Sequence, residues 1–275
     1  MADAEEAPPS LFTPGSGNIA LGISIVVFVT IALYNSIELM ILIPVSFHRY
    51  RSLYFWSLLT SASIGVIPST IGPTLQYFSI APLWLAMVLS NVGFIMMIPN
   101  QSVVLYSRLH LVSQNTNLLR CVRWLIVFSV FAVVIPTTTL NVGASYLPNS
   151  RPWTVGFEVI ERMQLTWFAA QESFISSIYI IDTIRMIRLS PDSDKRRHKI
   201  LYELLAINIV AIMMDLTLVI LEYVGFYFTQ IILKATVYSI KLKLEFAVLG
   251  MLVSIVHSRG SEQLFQADCT TSTFS

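Results

Sequence analysis

Charged residues are scarce in this sequence. Aspartate, glutamate, lysine and arginine make up 12 % of its 275 residues, whereas 55 % of the residues are hydrophobic. Soluble domains carry about 25 % charged residues, so this composition does not suit a water-exposed surface. The net charge is +1, which gives no sign of a nucleic-acid partner, and we expect none. The composition predicts an integral membrane protein surrounded by the lipid bilayer.

The residues of the common catalytic and metal centres are also few or badly placed. The two cysteines, Cys121 and Cys269, both map to the predicted cytosolic side, so we expect no stabilising disulfide. The four histidines map to the same side, whereas an intramembrane zinc hydrolase needs several histidines inside its bundle. No phosphate-binding glycine loop, nucleophile elbow or CxxC motif occurs. We therefore expect neither an enzyme nor a metal site.

Long apolar segments, in contrast, are abundant. A helix needs about 20 mostly apolar residues to cross the bilayer core. Seven segments reach that length: residues 19–45, 54–76, 81–107, 121–145, 160–186, 200–224 and 230–256. The sequence thus predicts an all-α bundle of seven transmembrane helices over residues 19–257. We expect the flanking tails, residues 1–18 and 258–275, to be disordered.

The distribution of lysine and arginine predicts the orientation of the bundle. Most of these residues fall in the loops of one face, and only Arg151, Arg162 and Lys234 map to the other. The positive-inside rule places the richer face in the cytosol, with the N-terminus outside and the C-terminus inside. The pattern does not distinguish the plasma membrane from an internal membrane. Candidates for a surface that docks a cytosolic signalling partner are Arg108, Lys195, Arg196 and Arg197.

Several charged residues nevertheless fall inside the predicted helices, where charges are costly and usually paired or functional. A helix rises 1.5 Å per residue, which places Asp215 of helix six level with Lys241 of helix seven. Glu222 and Lys234 match nearer the outer surface. Glu245 follows Lys241 by one turn on the same helical face. These levels predict ion pairs between helices six and seven.

The buried polar residues are compatible with two interpretations. They either form interhelical pairs that only fix the packing, or they line a polar cavity for a ligand, an ion or a proton. Lys243 points away from the Lys241 face and needs a partner elsewhere. The candidates for a ligand or ion cavity are Glu38, Gln171, Glu172, Asp215, Lys241, Lys243 and Glu245.

Lys241 also raises the question of retinal, because it falls near the middle of the last helix. A Schiff-base lysine needs a carboxylate counterion, and Asp215 or Glu172 would fill that role. Helix three, which carries the counterion in microbial rhodopsins, has no acid here. We therefore expect no retinal and no other cofactor.

Helix two carries small residues at every fourth position, which predicts a face for close helix packing. Four prolines within the predicted helices are expected to distort them. The small residues are Ser57, Ser61, Gly65 and Ser69, and the prolines are Pro68, Pro73, Pro99 and Pro136.

Five segments resemble a family of filamentous-fungal seven-helix membrane proteins whose shared domain has no assigned function. They are Tyr34–Glu38 (YNSIE), Arg49–Tyr54 (RYRSLY), Pro99–Arg108 (PNQSVVLYSR), Gln171–Ser176 (QESFIS) and Tyr238–Phe246 (YSIKLKLEF). Together they span nearly all of the membrane region. The resemblance implies a fungal source and a receptor-like bundle, and it implies no activity.

The similarity to G-protein-coupled receptors is confined to topology and to Arg108, at the cytosolic end of helix three. The acid that precedes the corresponding arginine in those receptors and their NPxxY motif are both missing. Our leading hypothesis is a receptor-like protein that senses a small-molecule ligand in a cavity between helices five, six and seven. The alternatives are an ion, proton or small-solute transporter or channel, and a structural membrane protein with packing-only ion pairs.

Overall fold

The computed structural model describes residues 19–46, 53–113, 115–146, 151–189, 195–224, 230–248 and 250, and these residues are helical apart from short turns. Helix α1 is Ile19–Ser46, α3 is Leu83–Val112, α5 is Arg151–Leu189, α6 is Lys195–Val224 and α7 covers residues 230–248. The predicted tails and the predicted end of helix seven lie outside the described residues. The all-α class predicted from the sequence is confirmed.

Helices α2 and α4 each contain a short π-helical segment. Helix α2 consists of Leu53–Thr60, the π-helical Ser61–Val66 and Ile67–Tyr77, and α4 consists of Thr116–Ser129, the π-helical Val130–Val134 and Ile135–Tyr146. Each π-helical segment ends two residues before a proline, Pro68 or Pro136. A proline ring collides with the carbonyl four residues earlier, and the wider π-helical turn accommodates it.

Five helices are long and apolar enough to cross a membrane: Gly22–Ser46, Tyr54–Tyr77, Leu83–His110, Thr116–Tyr146 and Leu201–Val224. These spans include α1, α2, α3, α4 and α6, so the protein is a helical, multi-pass membrane protein. Helix α5 and the described part of α7 are not among these spans. They carry most of the ion-pairing charges that the sequence placed inside the membrane region.

Helix α7 lies at the centre of the bundle. Nearly all of its residues from Gln230 to Leu242 are buried. Its side chains contact Phe28 of α1, Phe94 of α3 and Glu172 of α5, and Tyr54 of α2 donates a hydrogen bond to its backbone. Because protein rather than lipid surrounds most of this helix, it needs no apolar outer face, which explains how it accommodates four charged residues.

Helices α2 and α3 pack closely through small residues. The four small residues of the predicted face are all buried, which confirms that prediction. A Cβ atom added to Gly65 would lie 3.0 Å from the Met97 Cα, and one added to Gly72 would lie 2.6 Å from the Ser90 backbone nitrogen. These glycines bring the two backbones into contact, and this contact fixes the two helices at the back of the pocket described below.

Candidate functional site: a polar pocket and a column of buried ion pairs

A pocket opens between α2, α3, α4, α5 and α7, at the end of the bundle where α3, α5 and α7 begin. Its polar lining includes Asn91 of α3, Asn141 of α4, Glu161 and Gln164 of α5, and Lys234 of α7. The cavity volume is about 80 Å³. Since a water molecule needs roughly 10–15 Å³ by this measure, the pocket has room for several waters or one small polar molecule.

The charged groups of the pocket approach each other less closely than two of its amides do. Lys234 Nζ lies 4.0 Å from Glu161 Oε1 and 5.4 Å from the centre of the Phe94 ring. Asn141 donates a 2.8 Å hydrogen bond to the Asn91 side-chain oxygen. A basic group, an acidic group and several amides therefore face a common space whose other walls are largely apolar, the composition typical of a ligand pocket.

A second polar centre lies deeper in the bundle, around Lys241 of α7. Its ammonium group donates to Glu172 of α5 and to Asp215 of α6, with 2.6 Å between Lys241 Nζ and Asp215 Oδ1. Lys241 and Glu172 are both 1 % exposed. The Tyr238 hydroxyl lies 3.5 Å from the second oxygen of Glu172, to which it donates. The Asp215–Lys241 pair predicted from helix depth is confirmed, and Glu172 joins it.

A third centre lies one turn further along α7, at Glu245. Arg108 Nε of α3 lies 2.8 Å from Glu245 Oε2, and both residues are buried. The same guanidinium donates a 3.0 Å hydrogen bond to Asn208 of α6 and lies 4.9 Å from the Tyr179 ring. Arg108 thus joins α3, α5, α6 and α7. In this conformation it is not available as the surface docking residue that the sequence suggested.

The other residues predicted for the cavity or the docking surface do not belong to these three centres. Lys243 finds its partner on α1, where its ammonium lies 2.6 Å from Glu38 at the half-exposed edge of the bundle. Gln171 accepts a hydrogen bond from Ser129 of α4 and donates one of 3.0 Å to Ser102 of α3, so it ties three helices together. The side chains of Lys195, Arg196 and Arg197 lie outside the described residues.

The predicted cavity therefore differs in place from the observed pocket. The structure describes all seven cavity candidates, and none of them lines the pocket. The predicted pairing of Glu222 with Lys234 is wrong: Glu222 lies 4.0 Å from Arg162, and Lys234 lies beside Glu161. Glu161 was not predicted as a site residue, because it falls at the very start of the predicted helix five, where a charge is not unusual. Gln164, which also lines the pocket, was not among the predicted site residues.

The three centres form a column along one face of α7. Lys234, Lys241 and Glu245 are spaced by seven and four residues, which keeps them on one side of a helix. Together they pair with three other helices: Lys234 with α5, Lys241 with α5 and α6, and Glu245 with α3. From Lys234 to Glu245 the column extends about 16 Å at 1.5 Å per residue.

Comparisons with known proteins place this chain in one family. No curated protein and no solved structure matches it. One family model, described as "Domain of unknown function (DUF7703)", matches residues 16–263 and so covers all seven helices. The matched region also contains the pocket and every ion pair of the column. The chain therefore belongs to the family defined by this domain.

Proposed function

We propose that this protein is a receptor-like membrane sensor that binds a small polar ligand in the pocket between α2, α3, α4, α5 and α7. The observation that carries the proposal is the position of Lys234. This residue lines the pocket, and it also begins the column of charges that runs along α7 to the Arg108–Glu245 pair. A ligand that draws Lys234 away from Glu161 changes the contacts of α7, the helix on which the other pairs depend.

The proposal includes a topology. All seven helices cross the bilayer, with the N-terminus outside and the C-terminus in the cytosol, so the pocket opens to the outside. The charge distribution supports this orientation through the positive-inside rule. The central position of α7 supports a seventh span, because a helix enclosed by protein can cross a membrane despite its charges. The proposal includes no enzymatic step and no cofactor, and the labelling tests in intact cells use the protein expressed at the plasma membrane.

Accessibility of the pocket provides a direct test. In a variant that lacks both native cysteines, Thr137→Cys places a thiol in the pocket lining, and Thr183→Cys places one at a similarly buried position of α5 that does not line the pocket. We expect a small charged methanethiosulfonate reagent added outside intact cells to modify the Thr137→Cys variant and to spare the Thr183→Cys variant. An unreactive thiol at position 137 would refute an externally open ligand site.

Ligand binding itself is tested by thermal unfolding in detergent with a panel of small carboxylates, amines and zwitterions. A true ligand raises the unfolding temperature, because it binds only the folded state. We expect Lys234→Met to abolish the increase and Lys243→Met to preserve it, since Lys243 lies at the edge of the bundle, beside α1. An increase that survives in Lys234→Met would place the binding site elsewhere.

A receptor must also bind a signalling partner on the cytosolic side of the membrane. The basic residues Lys195, Arg196 and Arg197 follow the loop before α6 and remain the proposed docking surface. We expect replacement of all three by glutamate to abolish co-purification of a signalling partner without changing the unfolding temperature. A partner that still co-purifies with the charge-reversed protein would contradict this assignment.

A transporter or channel is the second candidate function, and the column of buried charges is the observation that favours it. Buried ionisable residues in membrane helices often mark ion or proton paths. In liposomes, a flux that depends on Asp215 or Glu172 would support transport. The tight contacts around Lys241 equally suit the third candidate, a structural protein. Absence of both flux and ligand response would favour that candidate.

A further inference from the structure

The centre around Lys241 has an unbalanced set of charges. One ammonium group contacts two carboxyl groups, those of Glu172 and Asp215, and all three residues are at least nine-tenths buried. With both carboxyl groups ionised, the centre would carry one uncompensated negative charge. Leaving an unpaired charge in a low-dielectric interior costs several kcal/mol, so a neutral centre is strongly favoured.

Among the described residues, no base other than Lys241 forms an ion pair with Glu172 or Asp215. The ionisable groups that act on this centre are Tyr238, which interacts with both acids, and Glu245, which interacts with Lys241. Tyr238 is neutral in its ordinary state, and Glu245 is negative. Two further described cations are already paired elsewhere, Arg108 with Glu245 and Lys243 with Glu38.

An unpartnered amide group lies at the same level of the bundle. Gln101 of α3 is 0 % exposed, and neither its oxygen nor its nitrogen has a hydrogen-bond partner among the described residues. Phe94 and Arg108, seven residues before and after it on the same helical face, contact Lys234 and Glu245 of α7. Gln101 therefore faces α7 midway between those two contacts, at the level of Lys241.

We propose that Glu172 and Asp215 together bind one proton, which makes the centre neutral. The proton adds to a carboxylate oxygen to give a carboxylic acid, while the other carboxylate stays ionised and pairs with the Lys241 ammonium. In this structure the Gln101 amide makes no hydrogen bond to Glu172, Asp215 or Lys241, so the proton and Lys241 balance the charges of the two acids without it. A metal cation is a poor alternative, because it would have to sit beside an ammonium group that already contacts both acids.

This site is independent of the ligand pocket, which none of its residues lines. The proton holds together three helices, since loss of the proton would leave two carboxylates of α5 and α6 repelling each other across Lys241. A proton that leaves or enters this centre therefore changes the packing of α7. The proton site can therefore be tested without knowing the ligand of the pocket.

Infrared spectroscopy of the purified full-length protein in lipid nanodiscs tests the proposal. A protonated carboxyl group has a C=O stretch separate from that of a carboxylate, and the band shifts in D₂O. We expect this band at neutral pH in the wild type, unchanged by NaCl or KCl. Either single substitution, Glu172→Gln or Asp215→Asn, should abolish it, because the remaining carboxylate then pairs one-to-one with Lys241. Glu38→Gln, at the edge of the bundle, is the control and should leave the band unchanged.

Three results would overturn the proposal. A wild-type spectrum without the band means that both acids are ionised, and this result needs no variant to interpret. A band that persists in both Glu172→Gln and Asp215→Asn places the proton on another acid. Loss of the wild-type band on addition of Na⁺ or K⁺ would show that a metal cation displaces the proton at this centre.

Discussion

Arg108 of α3 and Glu245 of α7 form a fully buried ion pair, with 2.8 Å between Arg108 Nε and Glu245 Oε2. The two residues are 1 % and 3 % exposed. The pair fixes the register of α3 against α7 at one end of the contact, while the Phe94–Lys234 contact fixes it at the other. The polar residues between these contacts are therefore held at matching levels.

The Arg108–Glu245 pair is expected to stabilise the fold only while both partners are present. Removing one member of a buried pair costs about 3–5 kcal/mol, because the other charge stays buried without compensation, whereas removing both can be nearly neutral. We expect Arg108→Gln and Glu245→Gln each to lower the free energy of unfolding by that amount. The double variant should recover most of the loss, as measured by thermal unfolding in detergent.

The half-exposed Lys243–Glu38 pair is the matched control for that cycle. Its members are 41 % and 30 % exposed, and such pairs contribute about 0–1 kcal/mol. Lys243→Met should therefore change stability far less than either single substitution of the Arg108 pair. Strictly additive effects of Arg108→Gln and Glu245→Gln would show that the two residues are not coupled.

In the centre around Lys241, loss of the lysine should lower the free energy of unfolding more than loss of one acid. Lys241→Met leaves Glu172 and Asp215 facing each other without a cation, so we expect a loss of about 3–5 kcal/mol. Asp215→Asn leaves one acid with one base and should cost less than about 1 kcal/mol. Thermal unfolding of the two variants gives the comparison. Equal losses would contradict an excess of acid at this centre.

The contact between α2 and α3 should not tolerate a methyl group at Gly72. The added Cβ would lie 2.6 Å from the Ser90 backbone nitrogen, and neither backbone can move without disturbing the pocket wall. We expect Gly72→Ala to destabilise the protein by about 1–3 kcal/mol, the usual cost of overpacking.

Gly22→Ala is the control. Its Cβ meets nothing within 4 Å, so alanine should be neutral or stabilising by up to about 1 kcal/mol. Equal effects of the two substitutions would contradict the close contact.

The sequence predicted the helices and the depth of their charges well. Apolar length alone located all seven helices to within a few residues at most ends. The larger differences lie at the ends of helices that extend past the apolar segment, such as α5, which begins at Arg151 rather than near residue 160. The rise per residue also placed Asp215 level with Lys241. Helices six and seven are consecutive and antiparallel, so the short segment between them determines which of their residues lie at the same height.

The position of a residue along its helix did not predict the ion pair when the identity of the neighbouring helix was also needed. Glu222 and Lys234 share a level, yet Lys234 pairs with Glu161 of α5. A helix has several neighbours at each level, and the order of helices around α7 is set by packing that a single sequence does not reveal. The predicted cavity residues do not coincide with the lining of the observed pocket for the same reason. Its walls come from five helices, three of which the predicted cavity did not include.

The proposed orientation of the membrane protein leads to the last prediction. Ser79 lies in the turn between α2 and α3, and Asn117 lies near the start of α4; both are exposed. They fall on opposite sides of the membrane if α3 crosses it. In a variant without Cys121 and Cys269, we expect a membrane-impermeant maleimide to label Ser79→Cys in intact cells, and to label Asn117→Cys only after permeabilisation. The reverse pattern would invert the topology and turn the pocket towards the cytosol, so that its ligand would be a cytosolic molecule. Labelling of both thiols in intact cells would mean that α3 does not span the bilayer.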